Sequence, residues 1–278
     1  MALMRPGVDG LDGTPDEVVG DNRAMSALRA KCPDCRTLTA VAYDDVYECH
    51  SCGREFAAGL VRVPRAWGAG GDAMAEAAAT AMPYPEALVV ESDTLAGQSD
   101  AIAGGLPRRP LVLGGCCCSH VGAIRGLAAR TDRLAVVWLD AHGDLNTPET
   151  SPSGNAWGMP LRMAIDEGSV RTDDVALVGA RDLDPPEQQY VAEHGIDDDL
   201  ARALDGVGAA YIALDVDVLA PGSVPCFMPA PGGPSVDDVA SILADVARRT
   251  RVLGLGITGL APGADPQVLA RFAAAAGL

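Results

Sequence analysis

The chain has 278 residues, of which 48% are hydrophobic and 21% are charged, and this composition predicts a folded protein with a sizeable core. Its 38 acidic and 21 basic residues give a formal net charge of −17. That charge disfavours nucleic acid or an anionic membrane as the main partner, because both attract positively charged protein surfaces.

The cellular compartment is predicted from what the sequence lacks. The first thirty residues contain no positively charged segment followed by an apolar run, so we expect no signal peptide. No apolar run approaches the ~18 residues that are needed to cross a bilayer. We therefore expect a soluble cytoplasmic protein with no membrane partner. In that compartment, its eight cysteines are expected to be metal ligands or free thiols rather than a disulfide framework.

The first predicted element is a small zinc ribbon. Four cysteines form a C-x2-C-x13-C-x2-C pattern that would hold one structural zinc: Cys32, Cys35, Cys49 and Cys52. Residues 38–43 and 46–48, on either side of Asp44-Asp45, predict the hairpin between the two pairs. A closed four-cysteine site maintains structure and does not catalyse, so we expect a docking element or a lid. Redox-active cysteines are the alternative interpretation.

After the ribbon, apolar runs alternate with helical patterns. The runs predict strands at 60–63, 87–90, 110–113, 134–139, 175–178, 210–214 and 252–257. Alanine-rich or amphipathic stretches predict helices at 73–81, 119–130, 159–167, 197–205, 236–249 and 266–276. This alternation indicates an α/β fold with a parallel sheet covered on both faces. We therefore expect an N-terminal segment over residues 1–58, with the ribbon at 32–52, and a catalytic domain over 59–278.

Ligand-type side chains follow two of the predicted strands. Asp140, His142 and Asp144 alternate directly after the run at 134–139, and Asp215 and Asp217 follow the run at 210–214. The carboxyl ends of parallel strands meet at one edge of a sheet, where α/β proteins bind their ligands. Carboxylates and imidazole are ligands for divalent cations, and five such side chains are enough for two ions. Helix caps and loop acids are the alternative interpretation of each group.

Four motifs, in their order along residues 60–278, resemble the ureohydrolase superfamily of arginase, agmatinase and relatives. They are Gly114-Gly115, the block at 140–158, Asp215-Val-Asp217 and Pro229-Ala-Pro-Gly-Gly233. The block reads Asp-Ala-His-Gly-Asp and continues to Ser-Gly-Asn, which is highly specific for that superfamily. The resemblance implies a three-layer parallel sheet with helices on both faces. The ribbon lies outside the usual pattern of the family.

The resemblance also implies a binuclear manganese centre with six ligand residues. They are Cys117, Asp140, His142, Asp144, Asp215 and Asp217. Asp140 and Asp215 would bridge the ions, while Cys117 stands where the family has a histidine. A thiolate is softer than an imidazole, so zinc, iron or cobalt are alternatives to manganese. His120 is an alternative ligand, and small apolar packing is an alternative role for the cysteines.

Six further positions match residues with which arginase-like proteins hold an amino acid. Those implied to recognise the α-carboxylate are Asn146, Ser151 and Ser153. Those implied to reach the α-amino group, directly or through water, are Asn155, Asp184 and Glu187. Because agmatine-type substrates have no α-carboxylate, this set favours an amino-acid substrate. Ordinary turn or cap roles are the alternative for each residue taken separately.

The opposite end of the implied pocket departs from the family. Trp157 replaces a histidine that shuttles protons, Gly259 replaces a glutamate that holds the guanidinium group, and Met228 replaces a threonine. Loss of a carboxylate partner weakens the binding of a buried cation. We therefore expect an ω-group that is larger, less basic or more apolar than that of L-arginine, such as the group of Nω-hydroxy-L-arginine.

The sequence thus predicts a binuclear metal-dependent hydrolase that cleaves a C–N bond of an arginine-like amino acid. The products would be urea, or a substituted urea, and an ornithine-like amino acid. Asp144 is the predicted catalytic residue, which orients the nucleophile and passes its proton to the leaving nitrogen. The alternative is a degenerate family member that binds metal or amino acid without turnover and uses the ribbon to dock a partner. The resemblance is also consistent with assembly of the chain into a homo-oligomer.

Overall fold

The amino-terminal sequence folds into a four-stranded antiparallel sheet. The computed structural model describes residues 29–43, 46–57 and 59–278. The strands are β1 (Arg29–Ala30), β2 (Ala40–Tyr43), β3 (Val46–Cys49) and β4 (Glu55–Ala57), and they pair in chain order. The predicted ribbon hairpin is therefore confirmed as β2 and β3. Its predicted turn, Asp44-Asp45, lies outside the described residues, as do residues 1–28 of the predicted N-terminal segment.

The rest of the chain forms a parallel seven-stranded sheet. Its strands are β5 (Leu60–Val63), β6 (Glu86–Val89), β7 (Leu111–Gly114), β8 (Leu134–Leu139), β9 (Val175–Val178), β10 (Ala209–Asp215) and β11 (Arg251–Thr258). Their order across the sheet is β6-β5-β7-β11-β10-β8-β9. Each predicted strand run coincides with one of these strands, so the predicted parallel α/β sheet is confirmed. The central strands β8 and β10 are mostly apolar because both of their faces are buried, and β10 ends at Asp215.

Eight α-helices lie in the described part of the chain. They are α1 (Asp72–Ala77), α2 (Leu95–Gly105), α3 (Cys118–Ala128), α4 (Pro160–Asp166), α5 (Pro185–His194), α6 (Leu200–Ala203), α7 (Val236–Arg249) and α8 (Pro266–Ala275). Six of them fall on predicted stretches, whereas α2 and α5 were not predicted. No helix in the described ranges combines the length and the apolar character that crossing a membrane requires.

Alternate residues of the strands face two separate apolar layers. Leu111 and Leu113 belong to a cluster that includes Leu243 of α7 and Phe272 of α8. Val112, between them, belongs to a second cluster with residues of α2, α3 and α4. Since successive side chains of a strand point to opposite faces, the two clusters lie on opposite sides of the sheet. This arrangement confirms the predicted three layers.

The ribbon packs against the amino ends of the large sheet. Phe56 meets Tyr84 edge-on with ring centroids 6.0 Å apart, and it shares an apolar cluster with Leu60, the first residue of β5. The Arg54 guanidinium donates a hydrogen bond to the carbonyl of Leu278 (2.9 Å). The predicted metal ligands lie at the carboxyl ends of the strands, on the opposite edge. This position favours a stabilising or docking role for the ribbon over the role of a lid.

Candidate metal centre and active site

The sheet order brings the predicted ligands together at one edge. Neighbouring strands β8 and β10 pair Leu139 with Leu214, so the next residues, Asp140 and Asp215, end their strands side by side. On the other side of β10, Asp215 pairs with Thr258 of β11. Strand β7 lies beyond β11, and the turn after it carries Cys117 at the start of α3. Four adjacent strand ends therefore build one site.

Two overlapping groups of side chains have the geometry of metal sites. The ligand atoms of Cys117, Asp140 and Asp215 lie within 4.8 Å of one another, and so do those of Asp140, His142 and Asp217. Within these groups, His142 Nδ1 lies 3.0 Å from Asp217 Oδ2 and 3.4 Å from Asp140 Oδ1. Asp140 belongs to both groups. The structure thus places one shared carboxylate between two sets of ligand atoms, which is the arrangement that a pair of cations requires.

The backbone around these ligands holds them in place. The Asp217 N–H donates to Asp215 Oδ1 (3.0 Å), and the Ala141 N–H donates to Asp217 Oδ1 (3.0 Å). The Trp138 indole N–H donates to Asp140 Oδ2 (3.1 Å). Each carboxylate is therefore oriented by a donor that does not depend on a cation, and such outer contacts are typical of protein metal sites.

Asp144 completes the acidic cluster without entering either compact group. It is buried, lines the same cavity as the other ligands, and has a left-handed backbone (φ 52°), which is uncommon for a non-glycine residue. Its Oδ2 atom is buried without a hydrogen-bond partner among the described residues. A strained backbone and an orphaned carboxylate oxygen together fit a residue that is kept for a ligand.

Electrostatics indicate that bound cations would stabilise this cluster. Burial, reinforced by the charge of Asp217, raises the pKa of Asp215 to about 7. Burial and the charge of Asp140 raise the pKa of Asp217 to about 6, and burial raises that of Asp144 well above its ordinary value. Burial alone would lower the pKa of His142, but its hydrogen bonds to Asp140 and Asp217 raise it to about 12. Divalent cations would relieve this repulsion, so the donor set fits them.

Cys117 faces the cluster, whereas His120 does not. The Cys117 Sγ atom lies 3.0 Å from Asp215 Oδ2, and burial raises the pKa of its thiol well above the ordinary value. A bound cation would favour the thiolate, since only the deprotonated sulfur is a ligand. His120 is fully buried behind the site, with its two ring nitrogens on Tyr211 and Thr258. The structure therefore favours Cys117 over His120 as the ligand on this side.

The cluster opens into a cavity of about 270 Å³ with one polar wall. Predicted substrate residues that line it are Asn146, Ser151, Ser153, Asp184 and Glu187. Asn155 does not line it, because its side-chain oxygen accepts a hydrogen bond from the Ala69 N–H (2.9 Å). Asp182 lines the wall as well and was not predicted. Asp182 lies two residues before the predicted Asp184, in the loop before α5, and this proximity was its only sequence signal.

Two of the wall residues also build the start of α5. Asp184 and Glu187 form a capping box, in which Glu187 Oε2 accepts from the Asp184 N–H (2.9 Å). Glu187 Oε1 accepts from the Leu145 N–H (2.9 Å), and Asp184 Oδ2 accepts from the Asn146 side-chain amide (2.9 Å). These contacts orient both carboxylates along the wall. They also mean that the helix-cap role and the predicted substrate role fall on the same side chains.

The other wall of the cavity is apolar. Trp157, Met228 and Gly259, three departures from the family pattern, line the cavity. Met74, Cys116 and Phe227 join them, and the Trp157 and Phe227 rings meet edge-on with centroids 5.7 Å apart. These three residues come from separate segments and were not predicted. Phe227 lies next to Met228 and Cys116 lies next to Cys117, so these two had a sequence signal, whereas Met74 had none.

Gly259 lies directly against a predicted bridging ligand. Its φ is +72°, and a Cβ atom at this position would lie 2.0 Å from Asp215 Oδ1 and 2.4 Å from Oδ2. Real Cβ atoms essentially never approach other atoms to less than 3.0 Å. The backbone at residue 259 thus leaves no space for a side chain beside Asp215.

The ribbon holds a second and separate ligand cluster. The four Sγ atoms of Cys32, Cys35, Cys49 and Cys52 lie within 4.8 Å of one another. The Cys32–Cys52 distance is 3.6 Å and the Cys35–Cys49 distance is 3.5 Å. Tetrahedral zinc with Zn–S bonds of ~2.3 Å separates its sulfurs by about 3.8 Å. The cluster is therefore compatible with a structural zinc ion.

Comparisons with known proteins agree with this geometry. The profile of the family described as "Arginase family" matches residues 79–277. The arginase of Staphylococcus aureus (strain COL) is 36% identical over 146 residues, covering 42% of this chain and 48% of that protein. The arginase of Bacillus subtilis (strain 168) is 36% identical over 144 residues, covering 42% and 49%. The chain thus spans about half the length of the curated relatives it matches.

Among solved structures, the fold is similar to that of arginase from Bacillus cereus. The TM-score is 0.67, and the match covers 78% of this chain and 96% of that chain. At 23% sequence identity, this likeness shows the shared fold. With the profile match over most of the α/β domain and the ligand cluster at its carboxyl edge, the chain belongs to the arginase family.

Proposed function

We propose that this chain is a binuclear metal-dependent hydrolase that cleaves a C–N bond of an arginine-like amino acid. Its target is a guanidino or modified guanidino group, and the products are urea, or a substituted urea, and an ornithine-like amino acid. The observation that carries the proposal is the pair of overlapping ligand groups that share Asp140 at the base of a cavity. The polar wall of that cavity gives an amino acid a place to bind.

Six side chains would hold the two cations: Cys117, Asp140, His142, Asp144, Asp215 and Asp217. When bound, the cations supply Lewis acidity, which lowers the pKa of water and polarises the ω-carbon of the substrate. Manganese is the expected metal, because oxygen ligands dominate the set. Zinc, iron or cobalt are the alternatives that the Cys117 sulfur favours.

Asp144 is positioned to handle the proton of the reaction. Its Oδ2 atom is buried and has no partner in the described structure, so it is available to accept a hydrogen bond from the attacking water. As the water oxygen bonds to the ω-carbon, Asp144 takes the proton and delivers it to the leaving nitrogen when the C–N bond breaks.

The polar wall would bind the amino-acid end of the substrate. Ser151 Oγ and Ser153 Oγ lie 3.5 Å apart, and both border the cavity. With Asn146, they would donate hydrogen bonds to the α-carboxylate. Asp184 would accept from the α-amino group while Glu187 holds its helix end in place. Asn155 would not contact the substrate directly, because its side-chain oxygen accepts a hydrogen bond from the Ala69 N–H. It would act by holding the Ala69 loop in place.

The apolar wall would select the ω-group. Trp157, Phe227 and Met228 present rings and a thioether where a charged guanidinium would lose its water. At Gly259, no side chain can offer a carboxylate in return. An ω-group of lower basicity or greater apolar surface therefore suits the cavity better than a guanidinium ion, because desolvating a charge without a partner is costly. Nω-hydroxy-L-arginine is the specific substrate that we propose.

The first test is the metal content of protein purified without added metal or chelator. We expect about three ions per chain, with zinc in the ribbon, and we expect Asp140→Ala to retain only the ribbon zinc. A degenerate protein that has lost the binuclear site would hold a single zinc even after manganese, iron, cobalt or zinc is supplied, and one that binds metal without turnover is distinguished by the substrate panel below. A count that stays at one would therefore contradict our proposal.

The second test is a substrate panel with detection of urea and substituted ureas. We expect turnover of Nω-hydroxy-L-arginine to exceed that of L-arginine, and agmatine to be poor because it lacks the α-carboxylate. Ser153→Ala should raise KM, whereas Ser241→Ala, on the exposed face of α7, is the matched control. A preference for agmatine, or an unchanged KM in Ser153→Ala, would show that the polar wall does not bind the amino-acid end.

A further inference from the structure

A chain of buried polar side chains runs behind the Cys117 and Asp215 ligands. Tyr211 Oη lies 2.8 Å from His120 Nδ1, and His120 Nε2 lies 3.1 Å from Thr258 Oγ1. Thr258 Oγ1 in turn lies 3.1 Å from Cys117 Sγ and 3.2 Å from Asp215 Oδ2. The side chains of Tyr211, His120 and Thr258 are fully buried. None of the three belongs to the ligand set or to the cavity lining.

The need to pair every buried hydrogen determines which group donates at each contact between Tyr211, His120 and Thr258. A neutral imidazole has one donor nitrogen and one acceptor nitrogen, and burial keeps the His120 ring neutral by lowering its pKa to about 3. Within the described residues, His120 Nδ1 is the only acceptor that Tyr211 Oη reaches. Tyr211 must therefore donate to Nδ1, since a buried hydroxyl proton without a partner is costly. His120 Nε2 then carries the hydrogen and donates it to Thr258 Oγ1.

The same logic decides where the proton of Thr258 points. Because Thr258 Oγ1 accepts from His120, its own hydrogen is free to point toward Cys117 Sγ or Asp215 Oδ2. The remaining acceptor in reach is the Leu214 carbonyl, at 3.5 Å. A hydrogen bond to a charged ligand is stronger than one to a distant carbonyl. The donor at the end of the chain therefore points toward the proposed metal ligands.

The protein leaves space for this arrangement. A Cβ atom at Gly256 would lie 2.2 Å from Tyr211 Oη and 2.5 Å from His120 Nδ1, so only glycine accommodates the pair. The Trp138 ring packs edge-on against His120 at 5.1 Å and donates its indole N–H to Asp140. Asp140 and Asp215, the two proposed bridging carboxylates, thus each face a donor from one buried layer.

We propose that Thr258 is a positioning residue of the metal centre, which donates a hydrogen bond to the Cys117–Asp215 ligand pair and is held in that orientation by His120 and Tyr211. This inference rests on the proposed function, because it requires Cys117 to be a metal ligand. A donor behind a thiolate stabilises its anionic form and fixes its direction, and loss of such outer partners weakens metal binding. His120 thus influences the metal site through Thr258, without contacting a proposed ligand.

Cobalt(II) provides a readout that does not depend on activity. The ribbon is first filled with zinc, and cobalt(II) is then titrated into the binuclear site. The thiolate-to-cobalt absorption that is present in the wild type and absent in Cys117→Ser reports Cys117 alone. We expect Thr258→Val to shift this absorption and to weaken cobalt binding by about 10- to 100-fold. Thr258→Ser, which keeps the hydroxyl group, should retain both.

Tyr211→Phe tests the hydrogen-bonded row of Tyr211, His120 and Thr258, whereas Thr258→Val tests only the hydroxyl group at its end. Without the tyrosine hydroxyl, His120 Nδ1 loses its partner, so the ring is no longer fixed in the orientation from which Nε2 donates to Thr258 Oγ1. We expect a shift of the absorption in the same direction as in Thr258→Val, but smaller. An unchanged absorption and cobalt affinity in Tyr211→Phe would overturn the role of the chain, and this variant decides the question if Thr258→Val does not fold.

Two further outcomes would overturn the proposal. Thr258→Val with wild-type absorption and affinity would show that no donor acts on the ligand pair. A wild type without any Cys117-dependent absorption would show that there is no thiolate ligand for Thr258 to orient. Failure to detect a urea-type product is a separate result. It would count against the proposed hydrolysis while leaving the spectral comparison of the variants valid.

Discussion

Substitution of Gly259 by alanine is expected to displace Asp215 and empty the binuclear site. The new Cβ atom would lie 2.0 Å from Asp215 Oδ1, whereas ordinary contact begins at 3.4 Å, so the carboxylate must retreat by 1.4 Å. A retreat of this size breaks its hydrogen bonds with the Asp217 N–H (3.0 Å) and the Thr258 hydroxyl (3.2 Å). Asp215 would then leave the position that it shares with Cys117 and Asp140.

The magnitude has two parts. An alanine held at φ +72° costs roughly 1–2 kcal/mol in backbone energy. Loss of the two hydrogen bonds to Asp215 adds about 1.5–3 kcal/mol for each bond. For a domain of this size, each kcal/mol corresponds to roughly 2–4 °C in Tm. Gly259→Ala should therefore lower Tm by more than the backbone penalty alone.

Gly195→Ala isolates that backbone penalty. Gly195 has φ +64°, and no atom lies within 4 Å of the position that its Cβ would occupy. Both variants are measured by thermal unfolding and by metal content per chain. We expect Gly195→Ala to lose only the backbone penalty and to keep all its ions, and Gly259→Ala to lose more stability and to retain only the ribbon zinc.

Gly259→Glu introduces the glutamate with which the family holds the guanidinium group. Because glutamate carries the same Cβ atom, this variant should lose metal as Gly259→Ala does, and it should gain no activity on L-arginine. If Gly259→Ala is no less stable than Gly195→Ala and keeps its metals, or if Gly259→Glu becomes an efficient arginase, then residue 259 does not control the position of Asp215.

Three other perturbations follow from the same structure. In chelator, stability should fall as the pH rises from about 4 to about 7, because Asp215 binds its proton more tightly folded (pKa about 7) than unfolded (3.8). Above pH 6.5, the raised pKa of His142 makes the stability fall further. Melting curves at acidic and alkaline pH check this trend, and added manganese should remove it. Asp144→Asn should lose one ion per chain yet be at least as stable as the wild type in chelator, since it removes a buried carboxyl group whose charged form is disfavoured there; a lower Tm in chelator would contradict this. Cys32→Ser should lose the ribbon zinc and lower Tm, whereas Cys226→Ser, outside both cysteine-containing ligand groups, should retain zinc; equal zinc contents would show that the ribbon site is not formed.

Local sequence patterns were sufficient for most secondary structure, and the exceptions have physical causes. Helix α2 is rich in alanine and glycine and lacks a marked apolar face, so no periodicity indicated it. Helix α5 begins with two prolines and is mostly polar. Its capping box, Asp184 with Glu187 three residues later, is a helix-start signal. That signal was masked because both residues also match a substrate-binding motif.

The chemistry of the two ligand clusters follows from local patterns in the sequence. The spacing of the ribbon cysteines and the alternation of Asp140, His142 and Asp144 after a buried strand are local patterns, and local patterns survive in any fold that keeps the strand. The parallel sheet then made one shared edge predictable for the Asp215 motif as well.

Only the tertiary structure decided how the surroundings of those ligands are filled. The order β7-β11-β10-β8 places Thr258 beside Asp215, although 43 residues separate them in the chain. The same packing turns His120 inward to Tyr211, ties Asn155 to the Ala69 loop and brings an apolar wall from separate segments. These contacts depend on which strands become neighbours and on the space between their side chains. No short-range pattern in a single chain specifies either of these properties.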